Sequence, residues 1–158
     1  VQFLKLLTPA RVFALDVTKE RLAHGRRYGA DDVLLSDARA VETIMDMTSG
    51  RGADAIIDLV GSNATLGLAA AVSRPQGRIV LVGMEGGSLQ VGWGNMATTC
   101  EFAVSLGSTR ADLAEVCSLA AAGKLIIDLE RFGFDELERA YDLLRAGKLT
   151  GRAVITFD

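Results

Sequence analysis

Cysteine, histidine, proline and tryptophan are all scarce in this sequence, and each scarcity removes something. Cys100 and Cys117 are the two cysteines, far apart and with no Cys or His at metal-ligand intervals. That spacing argues against a disulfide framework and against a zinc knuckle, and both thiols are expected to be reduced and packed in the core. His24 is the one histidine, on a polar helical stretch followed by Arg26 and Arg27, so no Ser-His-Asp arrangement can be built around it. Lysine and arginine show no excess: the net charge is −3 and the pI near 5.2. Phosphate neutralisation needs clustered basic side chains, so nucleic acid is not the expected partner. No apolar run approaches the roughly 18 residues of a membrane span. The opening Val1–Leu7 is too short and wrongly flanked for a signal peptide, and a cytoplasmic location is expected. With Val in place of Met at position 1, that stretch reads as the last turns of an apolar helix.

What is present fits a layered α/β protein. The chain is 49% hydrophobic and 23% charged, with two prolines in 158 residues, which suits one compact domain or one domain plus part of another. Strand-like runs at Arg11–Asp16, Asp32–Leu35, Ala53–Val60 and Arg78–Gly83 alternate with helical patterns at Thr18–Tyr28, Ala38–Met47 and Asn63–Ser73. The runs are apolar almost throughout, as in a parallel sheet covered on both faces. Gly29, Gly52, Gly61 and Gly77 punctuate the ends, with Pro75-Gln-Gly77 as a turn before the fourth run. Met84–Gly94 is glycine-rich, with a short extended run at Ser88–Val91, and holds Trp93, which reads as a loop anchor. Phe102–Leu106 resembles a further strand. Thr109 caps a helix whose apolar face is Leu113, Val116, Cys117 and Ala120, ended by Gly123. Asp135 with Glu138 reads as a capping box for a last helix, with Leu137, Ala140, Tyr141 and Leu144 as its face and Gly147 as its stop. Arg152–Phe157 closes the chain as a strand.

The first run ends on a single acid, Asp16. In a dinucleotide-binding βαβ unit, the acid ending the second strand accepts hydrogen bonds from the adenosine ribose hydroxyls and repels the 2′-phosphate of NADP. The glycine fingerprint expected about 20 residues before such an acid is missing, since only 15 residues precede Asp16. Asp54 and Asp58 lie in or beside the third run and read as strand-end caps rather than an acid–base pair.

Several stretches carry a family likeness in order. They are Ala10-Arg-Val-Phe-Ala-Leu-Asp16 with Lys19-Glu-Arg21, Tyr28-Gly-Ala-Asp-Asp-Val33, Thr48-Ser-Gly-Arg-Gly-Ala-Asp54, Ile57-Asp-Leu-Val-Gly61, Gly77-Arg-Ile-Val-Leu-Val-Gly-Met84, Ser105-Leu-Gly-Ser-Thr-Arg-Ala-Asp-Leu113 and Gly147-Lys-Leu-Thr-Gly-Arg-Ala-Val154. Together they resemble the C-terminal part of the zinc-dependent medium-chain alcohol dehydrogenases, with the flavour of the bacterial secondary-alcohol branch. The resemblance implies a Rossmann-like doubly wound parallel sheet, truncated at its N-terminus, without its first strand and Gly-rich loop. Residues 1–105 would form an incomplete dinucleotide-binding domain, and 106–158 a segment that packs on an absent catalytic domain.

It also implies cofactor contacts at Asp16 and Arg21 (ribose), at Val60, Gly61, Val82, Gly83 and Met84 (nicotinamide side), at Leu106 and Gly107 (carboxamide) and at Arg152 (pyrophosphate). No catalytic residue falls in this chain. NAD is the implied cofactor. Zinc belongs to the full-length enzyme, with its ligands upstream, and acts there as a Lewis acid on the substrate oxygen. The implied reaction moves a hydride between an alcohol and NAD, with a ketone or aldehyde as product, and the fragment alone is expected to be inactive. Self-association through Met84–Val91 is the implied assembly. The alternatives are a zinc-free NADPH-dependent quinone or enoyl reductase of the same superfamily, or a non-catalytic NAD-binding module or remnant.

Overall fold

The computed structural model describes residues 1–157, and its secondary structure follows the alternation in the sequence. The elements are α1 (Gln2–Leu7), β1 (Phe13–Asp16), α2 (Lys19–Arg27), β2 (Asp32–Leu35), α3 (Ala40–Met47), β3 (Ala53–Asp58), α4 (Asn63–Val72), β4 (Ser73–Leu81), β5 (Glu101–Val104), α5 (Arg110–Ala121), β6 (Leu129–Gly133), α6 (Leu137–Arg145) and β7 (Arg152–Thr156). They fall into two compact units, residues 1–108 and residues from 109 onward.

In the first unit every strand pairing is parallel. β1 pairs with β2, and β3, β4 and β5 form a second sheet in that order. The two sheets share no ladder, so β1 and β3 each keep an open edge, the pattern of a doubly wound sheet lacking a strand between them. Helix α2 packs on β1 and β2, while α4 packs on β3 and β4 and touches α3. The core lies between these layers. Leu66, Ala69 and Val72 of α4 meet Ile79 of β4, and Ile44 and Ala40 come from α3. Leu22 is the buried residue of α2. Gly25 lets α2 lie close to β1, since a methyl there would stand 3.1 Å from the Ala14 Cβ.

Local chemistry sets the ends. Thr18 Oγ1 accepts the Arg21 N–H at the start of α2. Ser62 and Thr65 form a capping box on α4, and Thr109 and Asp112 form one on α5. The fourth run differs from expectation. β4 begins at Ser73, ahead of Pro75, and its register against β3 slips between Ala53 and Ala55. The Pro75–Gly77 turn is thus a bulge inside a strand, where a proline without an N–H is tolerated; Gln76 takes φ 60° there. Ser88–Val91 is irregular backbone rather than a strand.

In the second unit β6 pairs in parallel with β7, and α6 packs on both. Phe132 and Ala140 form its buried pair. The cap of the last helix is displaced from the expected Asp135–Glu138 box. A short 3-10 turn, Phe134–Glu136, comes first, and Glu136 Oε2 accepts the Gly133 N–H at 3.1 Å. Tyr141 and Leu144 are exposed, so the buried face of α6 is narrower than the periodicity suggested. Helix α5 buries no residue, and its face of Leu113, Val116, Cys117 and Ala120 is not a core. Cys117 is accordingly an exposed free thiol and Cys100 a half-buried one, which corrects the expectation of two core thiols.

Candidate functional site

Parallel strands bring their carboxyl ends to one edge of a sheet, and in open α/β sheets that edge binds ligands. Asp16 is the last residue of β1. Its Oδ1 accepts the Val17 N–H at 2.7 Å and the Thr18 N–H at 3.4 Å, which fixes the carboxylate at the turn into α2. Arg21, one turn into α2, reaches the same Oδ1 with Nη1 at 3.8 Å. These contacts fall on Oδ1, and the side chain stays 32% exposed, with Oδ2 in none of them. A carboxylate held in this way accepts a pair of hydroxyl groups and opposes an added phosphate.

On the second sheet, Val60 and Gly61 follow β3, Val82 to Met84 follow β4, and Leu106 and Gly107 follow β5. Val60, Val82, Met84 and Leu106 are exposed, so three adjacent strand tips present apolar side chains. The first two tips are joined: the Glu85 N–H donates to the Val60 carbonyl at 3.1 Å, and the Gly87 N–H to the Gly61 carbonyl at 2.8 Å. Gly83 is needed for that approach, because a Cβ on it would lie 2.1 Å from the Val60 carbonyl carbon. The third tip is tied to the second by the Ser105 N–H, which donates to the Leu81 carbonyl at 2.8 Å. Arg152 belongs to the second unit, where it opens β7 and donates its N–H to the Asp128 carbonyl at 3.0 Å.

The two acids of the third run have different roles. Asp54 is exposed and bonded by Arg51 at 2.6 Å and by Arg74 at 2.6 Å, which holds its carboxyl far below the usual carboxylate range. Asp58 is buried and turns back on the chain, its Oδ1 accepting the Val60 and Gly61 N–H groups. Sequence reasoning placed Asp58 as a strand-end cap and gave it no part in the site. An Asp two and three residues before a Val-Gly pair is the local signal of such a turn.

Zinc finds no place in this arrangement. Among the described residues no group of three or more His, Cys, Asp or Glu side chains could hold a metal ion. Also among the described residues, no helix is long and apolar enough to cross a membrane.

The family described as "Zinc-binding dehydrogenase" matches residues 1–122. A protein named NAD-dependent alcohol dehydrogenase from Sulfurisphaera tokodaii is 34% identical over 98% of this chain and 46% of its own length. One of the same name from Sulfolobus acidocaldarius is 33% identical over 98% of this chain and 45% of its own length. Among solved structures, the alcohol dehydrogenase of the hyperthermophilic archaeon Aeropyrum pernix superimposes with a TM-score of 0.87 at 34% identity. That match covers 99% of this chain and 45% of the other. The chain thus spans about half the length of the curated relatives it matches. With the parallel strands, the Asp16 turn and this match along most of its residues, the chain belongs to the zinc-binding dehydrogenase family.

Proposed function

We propose that this chain is the cofactor-binding portion of an NAD-dependent, zinc-type alcohol dehydrogenase. The observation that carries the reading is the Asp16 carboxylate, fixed at the carboxyl end of a parallel strand by contacts that fall on Oδ1. The relatives named for NAD and alcohol support it.

When bound, NAD supplies the hydride acceptor for oxidation of an alcohol to a ketone or aldehyde. Asp16 accepts the adenosine ribose hydroxyls, and Arg21 lies beside the same ribose. Val60, Val82 and Met84 offer an apolar surface that excludes water from one side of the nicotinamide. Gly61 and Gly83 keep the two loops low enough for the ring to approach. Backbone groups of Leu106 and Gly107 meet the carboxamide. Orientation of this kind is the protein's share of cofactor chemistry. In the full-length enzyme, residues 1–105 serve as the dinucleotide-binding domain and 106–158 pack on the catalytic domain that holds the zinc. The enzyme is placed in the cytoplasm and self-associates through Met84–Val91, which must become extended to pair. Sedimentation of the full-length protein as a monomer at micromolar concentration would remove the last point.

Titration of the full-length protein with NADH and NADPH tests the cofactor reading. NADH binding at least about tenfold tighter is expected from the charge at Asp16. A preference for NADPH would overturn it and revive the zinc-free reductase.

A further inference from the structure

Asp58 ends β3 and is 6% exposed. Its Oδ1 accepts the N–H groups of Val60 and Gly61, both at 2.9 Å. Its main-chain carbonyl accepts two more, from Val82 at 2.8 Å and Gly83 at 3.0 Å. One residue therefore anchors both loops that leave β3 and β4. The joint extends outward, where the Ser88 N–H donates to Asn63 Oδ1 at 2.7 Å. The fit leaves no slack, since a Cβ on Gly87 would lie 2.4 Å from the Ser62 carbonyl carbon.

The second carboxylate oxygen of Asp58 is buried and has no hydrogen-bond partner among the described residues. An unpaired buried acceptor carries a desolvation cost, larger for a charged group. Costs of this kind gather where a fixed geometry serves a site.

We infer that Asp58 is the positioning residue of the nicotinamide side: through Oδ1 and its carbonyl it holds Val60–Gly61 and Val82–Gly83 as one rigid wall. The inference rests on the cofactor reading above. Asp58 touches no reacting atom; it acts through the backbone of its neighbours. Loss of the Oδ1 bonds frees the Val60–Gly61 turn and blurs the wall, while the adenosine end at Asp16 stays intact.

The test compares NADH with ADP-ribose, which lacks the nicotinamide, by calorimetry on the protein expressed from its full reading frame. In Asp58→Ala the ratio of NADH to ADP-ribose affinity is expected to fall about tenfold, the scale of two lost hydrogen bonds. Asp58→Asn keeps an oxygen for the two N–H groups and is expected to restore the ratio to within about threefold of wild type. An unchanged ratio in Asp58→Ala overturns the inference, and so does an Asn variant that falls as far as the Ala variant. If Asp58→Ala does not fold, Asp58→Ser, whose shorter hydroxyl reaches one N–H, takes its place. A loss of about threefold there supports the inference and a wild-type ratio overturns it. Wild-type protein that binds neither ligand overturns the cofactor reading and this inference with it. A purely structural Asp58 would weaken both ligands together and leave the ratio alone.

Discussion

The Arg21 guanidinium stands 3.8 Å from the Asp16 carboxylate, so the acid that ends β1 carries its own counter-charge. The pair is partly exposed, and solvent weakens its attraction. Its weight falls on discrimination rather than on stability. Asp16→Ser in the full-length protein removes the repulsion and leaves Arg21 to face a 2′-phosphate. The NAD-to-NADP affinity ratio is expected to drop by about tenfold or more. Competitive titration of the two cofactors reads it, and unchanged discrimination would remove the principal site assignment.

Gly83 and Gly86 make a matched pair for stability. A Cβ on Gly83 would collide with the Val60 backbone, whereas Gly86, at φ 90°, has nothing within 4 Å. Gly86→Ala is expected to cost about 1 kcal/mol from backbone strain alone. Gly83→Ala must push two bonded loops apart and is expected to cost about 2–3 kcal/mol. Urea unfolding of the two variants checks the order, and equal midpoints would mean that the loops part freely.

Leu66 is 1% exposed, on the face of α4 that meets β3 and β4. Leu66→Ala is expected to cost about 2–5 kcal/mol, the range for a buried leucine whose cavity does not collapse. A loss below about 1 kcal/mol in chemical denaturation would show that this layer repacks easily.

Asp54 sets a pH dependence. Its folded pKa lies below the unfolded value because Arg51 and Arg74 favour the charged form. The stabilisation is therefore complete above the unfolded pKa of about 4 and is lost as pH falls from there toward the folded pKa. Wild type should exceed Asp54→Asn in urea midpoint at neutral pH, and the gap should close on acidification below about pH 4. Asp54 and Arg51 are exposed and Arg74 partly so, and the gap is also expected to shrink in high salt. A gap that persisted at low pH would mean that the arginines act through packing instead.

Much of the frame was legible in the sequence because its signals are local. Thr18 and Thr109 sit three residues before the N–H groups they cap, and apolar runs next to glycines mark the strands. Legibility failed where two local patterns compete. Asp135 and Glu138 have the residue types of a capping box, whereas the bond that forms runs from the Gly133 N–H to Glu136, and the path of the chain out of β6 decides between them. It failed again where burial depends on distant residues: Leu113 and Tyr141 have helical periodicity and remain exposed. Asp58 shows the third kind of failure. Its bonds to Val60 and Gly61 are local, but its carbonyl serves Val82 and Gly83, more than twenty residues away, and parallel pairing alone brings them there. Asp16 was legible for the opposite reason: its turn, its helix cap and its arginine all lie within five residues.

The contact between Gly25 and Ala14 bears on how such a site can change over time. With no side chain on residue 25, α2 lies close against Ala14 of β1, where an added methyl would stand 3.1 Å from the Ala14 Cβ. That contact is made without the side chains of Asp16 and Arg21. On the cofactor reading proposed above, charge at this turn can be exchanged one side chain at a time, while bulk gained at residue 25 would press α2 away from β1.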